Sequence, residues 1–391
     1  MEDNLIRQDS GALPQTEPVS QFIEQKHAEL PQPLNIQAEP EPEITREQLS
    51  LSKRLLNWRT LVPLAIVIFA LVFVATKANI NPQQTWHTIR TANLIFFLAA
   101  FGIYYLSFPI RALRWRLLLN NVGFTKANGV ELPKFWKLTE IIYLSFFANV
   151  VVPARLGELY RAYLLREEAG VSATRTFGTV LAERLLDLIV LLLLFIPAII
   201  ISLHDNLPKE LRFGLEITLG LVILGIVALF ALRMFREKLV KFVPSRFHGH
   251  YHHFHEGMLG SFRRIPTLVG LTVCVWACEA LRFFFIVLAL NLITGNSIHI
   301  VTAALVIALG EALLTIIPFT AGGVGLVEGG MAAMILLFNH GTANAGNMSA
   351  AAIVLDRTIS LLSIWVIGFI VFMLAFGRQT AKKKILTRMQ G

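Results

Sequence analysis

Of the 391 residues, 55% are hydrophobic and only 16% are charged, a balance that leaves a soluble globule without enough polar surface and excludes a soluble enzyme. The formal charge of +9 does not point to nucleic acid, because the basic residues sit in short runs beside apolar blocks and not along one polar face. The composition predicts an integral membrane protein, and the lengths of its apolar blocks an all-α one.

The chain begins with an acidic stretch rich in Pro, Glu and Gln over 1–52, expected to be a disordered cytoplasmic tail because it has no apolar period from which to build a core. A polytopic membrane domain is predicted over 53–377 and a basic cytoplasmic tail over 378–391. The extreme N-terminus lacks the apolar core of a signal peptide, so 61–76 is expected to act as an uncleaved anchor. About six blocks are long enough to cross hydrocarbon as helices, which takes roughly 20 residues. They are 61–76, 92–110, 177–202, 213–232, 268–293 and 350–376. Two further blocks, 138–153 and 300–338, are broken by proline and glycine.

Lys53, Arg54 and Arg59 precede the first block, and Arg111, Arg114 and Arg116 follow the second. By the positive-inside rule both flanks are cytoplasmic, as is the loop from Arg233 to Arg264 and the run from Arg378 to Arg388. Both termini are then cytoplasmic, and counting crossings forces each broken block to return to its own side. Each is expected to be a re-entrant hairpin or a pair of half-helices. Irregular backbone at membrane depth needs protein or a water-filled cavity around it, so a cavity is implied.

The two halves share an order of features. Ala112-Leu113-Arg114-Trp115, then Pro153 with Gly157 and Glu158, then Glu183-Arg184 recur as Ala280-Leu281-Arg282-Phe283, then Pro318 with Gly322, Gly323, Gly325 and Glu328, then Asp356-Arg357. The acidic-Arg pairs are each expected to open a long apolar helix, the first running outward and the second inward. This predicts an inverted-topology repeat, an architecture that places a binding site near the midplane.

Several charges lie where hydrocarbon disfavours them. Glu279 and Arg282, three apart on one helix, are either a structural ion pair or a lining for a polar headgroup; Glu311 and Glu328 flank the second break. Arg155, Glu158 and Arg161 recur every third residue after Pro153, presenting two guanidinium groups around a carboxylate on one helix face. That face suits a phosphate, or snorkels its charges to lipid headgroups. Glu183, Arg184 and Asp187 form a second cluster that requires a cation from another segment. Gly322, Gly323 and Gly325 do not follow a strand, so they are expected to let backbones approach closely or to end a half-helix, and not to form a dinucleotide loop. His248, His250, His252, His253 and His255 lack zinc-site spacing and are read as a solvated loop; Cys274 and Cys278 are read as packing residues. No metal, no cofactor and no catalytic constellation is expected.

The run Arg111-Ala-Leu-Arg-Trp-Arg116, the segment from Asn149 through Pro153-Ala-Arg-Leu-Gly-Glu158 to Arg161, Glu183-Arg184 with Asp187, and Pro318 followed by Gly322-Gly323-Val324-Gly325 and Glu328 resemble the lysylphosphatidylglycerol synthase transmembrane region, or flippase-like domain family. Ala321 stands where that family usually has a proline before the paired glycines. The resemblance covers about 55–376 and implies the lipid-translocating half without the aminoacyl-transferase domain of full-length synthases. The expected function is movement of an anionic or glycosylated lipid between leaflets of a bacterial or archaeal inner membrane, with no enzymatic activity. Arg155, Arg161 and Arg184 would hold the phosphate. Glu158, Glu183, Asp187 and Glu328 would balance those cations. The alternatives are a membrane-embedded transferase of lipid-linked sugars and a scaffold for a separate lipid-modifying enzyme.

Overall fold

A computed structural model describes residues 80–152, 156–202, 248–316, 323–339 and 344–375, with Gly220. The expected tails, the blocks 61–76 and 213–232, and Pro153, Arg155, Pro318 and Gly322 lie outside the described residues.

The described chain is built of helices joined by short connections. α1 (Pro82–Arg90) starts with Pro82 in its first turn, and the Asn81 side chain accepts from the Gln83 and Gln84 amides, which satisfies donors the helix itself leaves unpaired. α2 (Leu94–Asn121) is capped in the same way by Asn93, whose side chain accepts from the Ile95 amide. α3 (Phe135–Val151) and α4 (Gly157–Ala169) form the first long-and-short pair. α5 (Ala173–Ser202), α6 (His248–Gly260) and α7 (Ile265–Leu290) follow. α8 (Ser297–Ile316) and α9 (Leu326–Phe338) form the second pair, and α10 (Ala345–Ala375) includes a π turn at Thr358–Leu362. Gly323 and Gly325 precede α9 with φ of 74° and 93°, a region glycine enters without the steric cost other residues bear.

Five of these helices, α2, α5, α7, α8 and α10, are long and apolar enough to cross a membrane. Their outward faces are apolar, as on α10, where Leu362, Trp365, Phe369, Ile370 and Leu374 are all exposed. This is the reverse of a soluble surface and the pattern expected of lipid contact. The protein is a multi-pass, all-helical membrane protein.

α1 to α5 and α6 to α10 repeat one plan: a short helix, a long span, a second helix ending in a break, a half-helix and a long span. A shift of 168 positions, the separation of Arg111 and Glu279, carries Arg114 to Arg282, Tyr104 to Thr272, Asn93 to Ser261 and Asn121 to Ala289. The contacts obey that shift with the halves exchanged. The Asn93 amide donates to the Ala289 carbonyl at 2.8 Å, and the Asn121 side chain donates to the Ser261 carbonyl at 2.9 Å. Arg282 lies 5.6 Å from the Tyr104 ring, and Arg114 donates to the Thr272 hydroxyl at 2.8 Å. Arg111 meets its own counterpart, Glu279, at 2.7 Å. α2 and α7 therefore run antiparallel about a pseudo-two-fold axis perpendicular to both, which is the geometry of an inverted repeat.

The shorter helices follow the same exchange. α1 packs on α10, where Asn347 accepts from the Asn81 amide at 2.7 Å and donates to Gln84 at 2.5 Å. α6 packs on α5, where a Cβ on Gly257 would lie 2.1 Å from the Arg175 carbonyl oxygen and one on Gly178 would lie 2.5 Å from that of Phe254. The glycines let the two backbones touch, so the histidine-rich segment read as a solvated loop is a packed helix with His255 buried. Among the described residues no cluster of His, Cys, Asp or Glu is arranged to hold a metal.

Candidate functional site

Buried charged side chains form two ion networks, one centred in each half, and Arg111 of the first half joins the second network through Glu279. In the first, the fully buried Arg114 of α2 binds Glu183 at 2.7 Å and Asp187 at 2.5 Å, both on α5. Arg161 of α4 binds the other oxygen of Glu183 at 2.9 Å, and its guanidinium lies 3.8 Å from the centre of the Trp115 ring. Arg184 reaches Glu158 at 3.3 Å and Asp187 at 3.6 Å. Buried charge is tolerated here because each carboxylate faces at least one guanidinium in an environment where an unpaired ion would be very costly.

The second network uses equivalent positions. Arg282 of α7 binds Asp356 on α10 and, at 2.8 Å, Glu311 on α8. Arg357 binds Glu328 of α9 at 2.9 Å and Glu311 at 3.5 Å. The pair Arg114 and Glu183 thus corresponds to Arg282 and Asp356, and the pair Arg184 and Glu158 to Arg357 and Glu328. Glu328 also accepts from the Gly325 amide at 2.5 Å, so the carboxylate that meets Arg357 closes the first turn of its own half-helix.

The halves differ in charge. Aligning Glu158 with Glu328 sets Arg161 opposite Met331, and aligning the acidic-Arg pairs sets Asp187 opposite Ser360. Met331 and Ser360 still join the second network, contacting Arg357 and Asp356 at 3.8 and 3.2 Å. Among the described residues the first half supplies Arg111, Arg114, Arg161 and Arg184 against Glu158, Glu183 and Asp187, an excess of one cation. The second supplies Arg282 and Arg357 against Glu279, Glu311, Glu328 and Asp356, an excess of two anions. Arg161 is 1% exposed, and its Nε and Nη2 have no hydrogen-bond partner among the described residues. Arg184, with a quarter of its side chain exposed, is the most accessible cation of the first network.

Helix α4 owes its place to Gly157. Its amide donates to the Asn149 side chain at 2.8 Å, and a Cβ there would lie 2.0 Å from the Ser145 carbonyl oxygen. α4 consequently meets α3 backbone to backbone and brings Glu158 and Arg161 to α5.

The sequence reading placed these residues with some errors. Glu158 and Arg161 share a helix, and each pairs with α5, Glu158 with Arg184 and Arg161 with Glu183. Arg111 and Arg114 were placed after a span ending at residue 110; α2 continues to Asn121, and both are buried, with carboxylates supplied by α5 and α7. Glu183-Arg184 and Asp356-Arg357 do not open their helices, which begin at Ala173 and Ala345. Glu279 and Arg282 do pair, at 3.2 Å. Glu311 belongs to the centre of the second network. Tyr104 and Thr272 went unnoticed, and the repeat carried the signal for them, since they are the shift-related partners of the two central arginines; Trp115 entered only as part of the Ala-Leu-Arg-Trp motif.

A buried, doubly repeated ion network inside an inverted repeat of membrane helices defines the class of this protein. The chain belongs to the lysylphosphatidylglycerol synthase TM region family, whose pattern it matches over residues 61–368. It is similar to a UPF0104 membrane protein of Methanocaldococcus jannaschii, 29% identical over 58% of this chain and 93% of the relative. It is similar to a UPF0104 membrane protein of Methanothermobacter thermautotrophicus, 25% identical over 78% of this chain and 91% of that one. It also resembles glycosyltransferase AglD of Haloferax volcanii, 23% identical over 72% of this chain but only 49% of that protein. This last likeness overturns the expectation of no enzymatic activity, since 72% of the chain is similar to part of a protein named as a glycosyltransferase.

Proposed function

We propose that the protein binds a lipid with an anionic or glycosylated headgroup and carries it between leaflets by rocking its two halves about the α2–α7 pair. The observation that supports this most is the pairing of equivalent positions, Arg111 with Glu279, between two halves whose network residues carry opposite charge excess among the described residues. An inverted repeat has two related arrangements, each half taking the shape of the other, and a site between them opens to either side. The cation-rich half offers Arg184 at its accessible edge, with Arg161 and Trp115 behind it; guanidinium groups suit phosphate. The anion-rich half would repel the same headgroup and favour its release.

In this reading the lipids of a bacterial or archaeal inner membrane are the partners, both termini are cytoplasmic, and a separate lipid-modifying enzyme supplies the cargo. The test is leaflet exchange of fluorescent phosphatidylglycerol in proteoliposomes. Wild type exchanging faster than Arg184→Ala and Glu158→Gln supports the reading, and exchange equal in all three removes it.

The likeness to AglD favours a second reading, group transfer to or from a lipid-linked sugar, with Glu158 as base. Incorporation of a labelled sugar into lipid by the purified chain, lost in Glu158→Gln while leaflet exchange stays at the bare-liposome rate, would select it.

A further inference from the structure

Where the C-terminus of α2 meets the N-terminus of α7, a cleft of about 600 Å³ is lined by Arg116, Asn120, Asn121, Lys126, Arg263 and Arg264. That size is ordinary for a small-molecule site. Arg116, Arg263 and Arg264 are exposed and make no ion pair among the described residues. Lys126 meets Glu131 at 3.2 Å, but both are about four-fifths exposed, so the pair holds little. α7 begins at Ile265, so the positive end of its dipole lies at the same cleft.

The backbone that carries Arg263 and Arg264 is held in place. Asn121 donates to the Ser261 and Arg263 carbonyls at 2.9 and 2.7 Å. Arg264 sits in the left-handed region with φ of 55°, a conformation costly for any residue but glycine. The pseudo-two-fold builds this end of the helix pair twice, and the copies differ. Opposite Arg263, Arg264 and Arg116 stand Ile95, Phe96 and Phe284, and Phe96 stacks on Phe285 with ring centres 6.4 Å apart. The positive-inside rule accounts for basic residues in a loop, but not for three arginines from two elements, none ion-paired among the described residues, lining one cleft.

We propose that this cleft binds a phosphate ester, held between Arg116, Arg263 and Arg264 at the positive end of α7. Planar guanidinium forks match phosphate oxygens two at a time, and three of them suit a diphosphate or a phosphodiester with a polar neighbour. The site is separate from the ion networks and stands whether or not the protein moves lipid. Its phosphate comes either from a lipid headgroup at the membrane surface or from a soluble phosphate compound.

The test is a phosphorus NMR titration of the full chain in maltoside micelles, with inorganic pyrophosphate in one arm and dihexanoyl phosphatidylglycerol in the other. Saturable binding is expected in at least one arm, weakened at least about ten-fold in the triple variant R116Q/R263Q/R264Q, as loss of charge-assisted hydrogen bonds requires. Asn120→Glu, which adds a carboxylate at an exposed position of the cleft, should weaken it as well and guards against misfolding of the triple variant. Binding of the lipid alone assigns a headgroup site; binding of pyrophosphate assigns a site for soluble phosphate. No saturable binding in either arm, or equal binding by wild type and both variants, overturns the proposal.

Discussion

Arg111 and Glu279 occupy equivalent positions of the two halves and bind each other at 2.7 Å, so the pseudo-two-fold axis passes between them. Each stands three residues before the central arginine of its half, Arg114 or Arg282. Reversing the pair with Arg111→Glu and Glu279→Arg keeps their mutual bond; it takes Glu279 from Arg282, which retains Glu311 and Asp356. Thermal unfolding in detergent should show each single reversal destabilised and the double variant recovering most of the loss, a coupling of about 1–3 kcal/mol for residues in one network. Additive losses would mean that the two side chains do not share an axis.

Glu183 neutralises both Arg114 and Arg161, each buried. Glu183→Gln leaves one of these guanidinium groups without a carboxylate, which typically costs about 3–5 kcal/mol. The equivalent Asp356→Asn removes a partner of Arg282, but Glu279 and Glu311 remain. The first variant should unfold at clearly lower temperature than the second. Equal shifts would show that the networks are energetically alike.

Arg161→Met places on α4 the residue found at the equivalent site of α9. Glu183 keeps Arg114, and a buried guanidinium with two nitrogens that find no partner among the described residues is replaced by a side chain without polar hydrogens. The melting temperature should change little, while leaflet exchange of an anionic lipid should fall. An unchanged exchange rate would remove Arg161 from the headgroup path.

Gly157→Ala puts a Cβ 2.0 Å from the Ser145 carbonyl oxygen, so α4 must move away from α3. Overpacking of this kind costs about 1–3 kcal/mol. Because α4 carries Glu158 and Arg161, their pairs with Arg184 and Glu183 should loosen with it. Lower thermal stability together with lower exchange is expected; a wild-type melting curve would place α4 elsewhere.

Much of this architecture is legible from residues alone. Ala-Leu-Arg-Trp and Ala-Leu-Arg-Phe, Glu183-Arg184 and Asp356-Arg357, and Glu158 and Glu328 announced the repeat in order. Charges inside apolar blocks, such as Glu279 and Arg282, announced that partners had to exist. What stayed hidden was which helix supplies each partner. Arg111 and Arg114 follow an apolar run and look like ordinary cytoplasmic anchors, and only the approach of α5 and α7 turns them into buried cations. The helix starts were misplaced for the same reason. Glu183 looks like a terminal charge until Arg114 and Arg161 neutralise it within α5. Helix packing through Gly178 and Gly257 likewise hid the order of the histidine-rich segment, whose composition alone reads as loop.

The most direct measurement of the central claim is leaflet exchange by the wild-type chain in proteoliposomes, comparing fluorescent phosphatidylglycerol with fluorescent phosphatidylcholine. Exchange of the anionic lipid well above both the zwitterionic lipid and protein-free liposomes is the predicted result. Exchange of both lipids at the protein-free rate would contradict translocation and turn attention to group transfer.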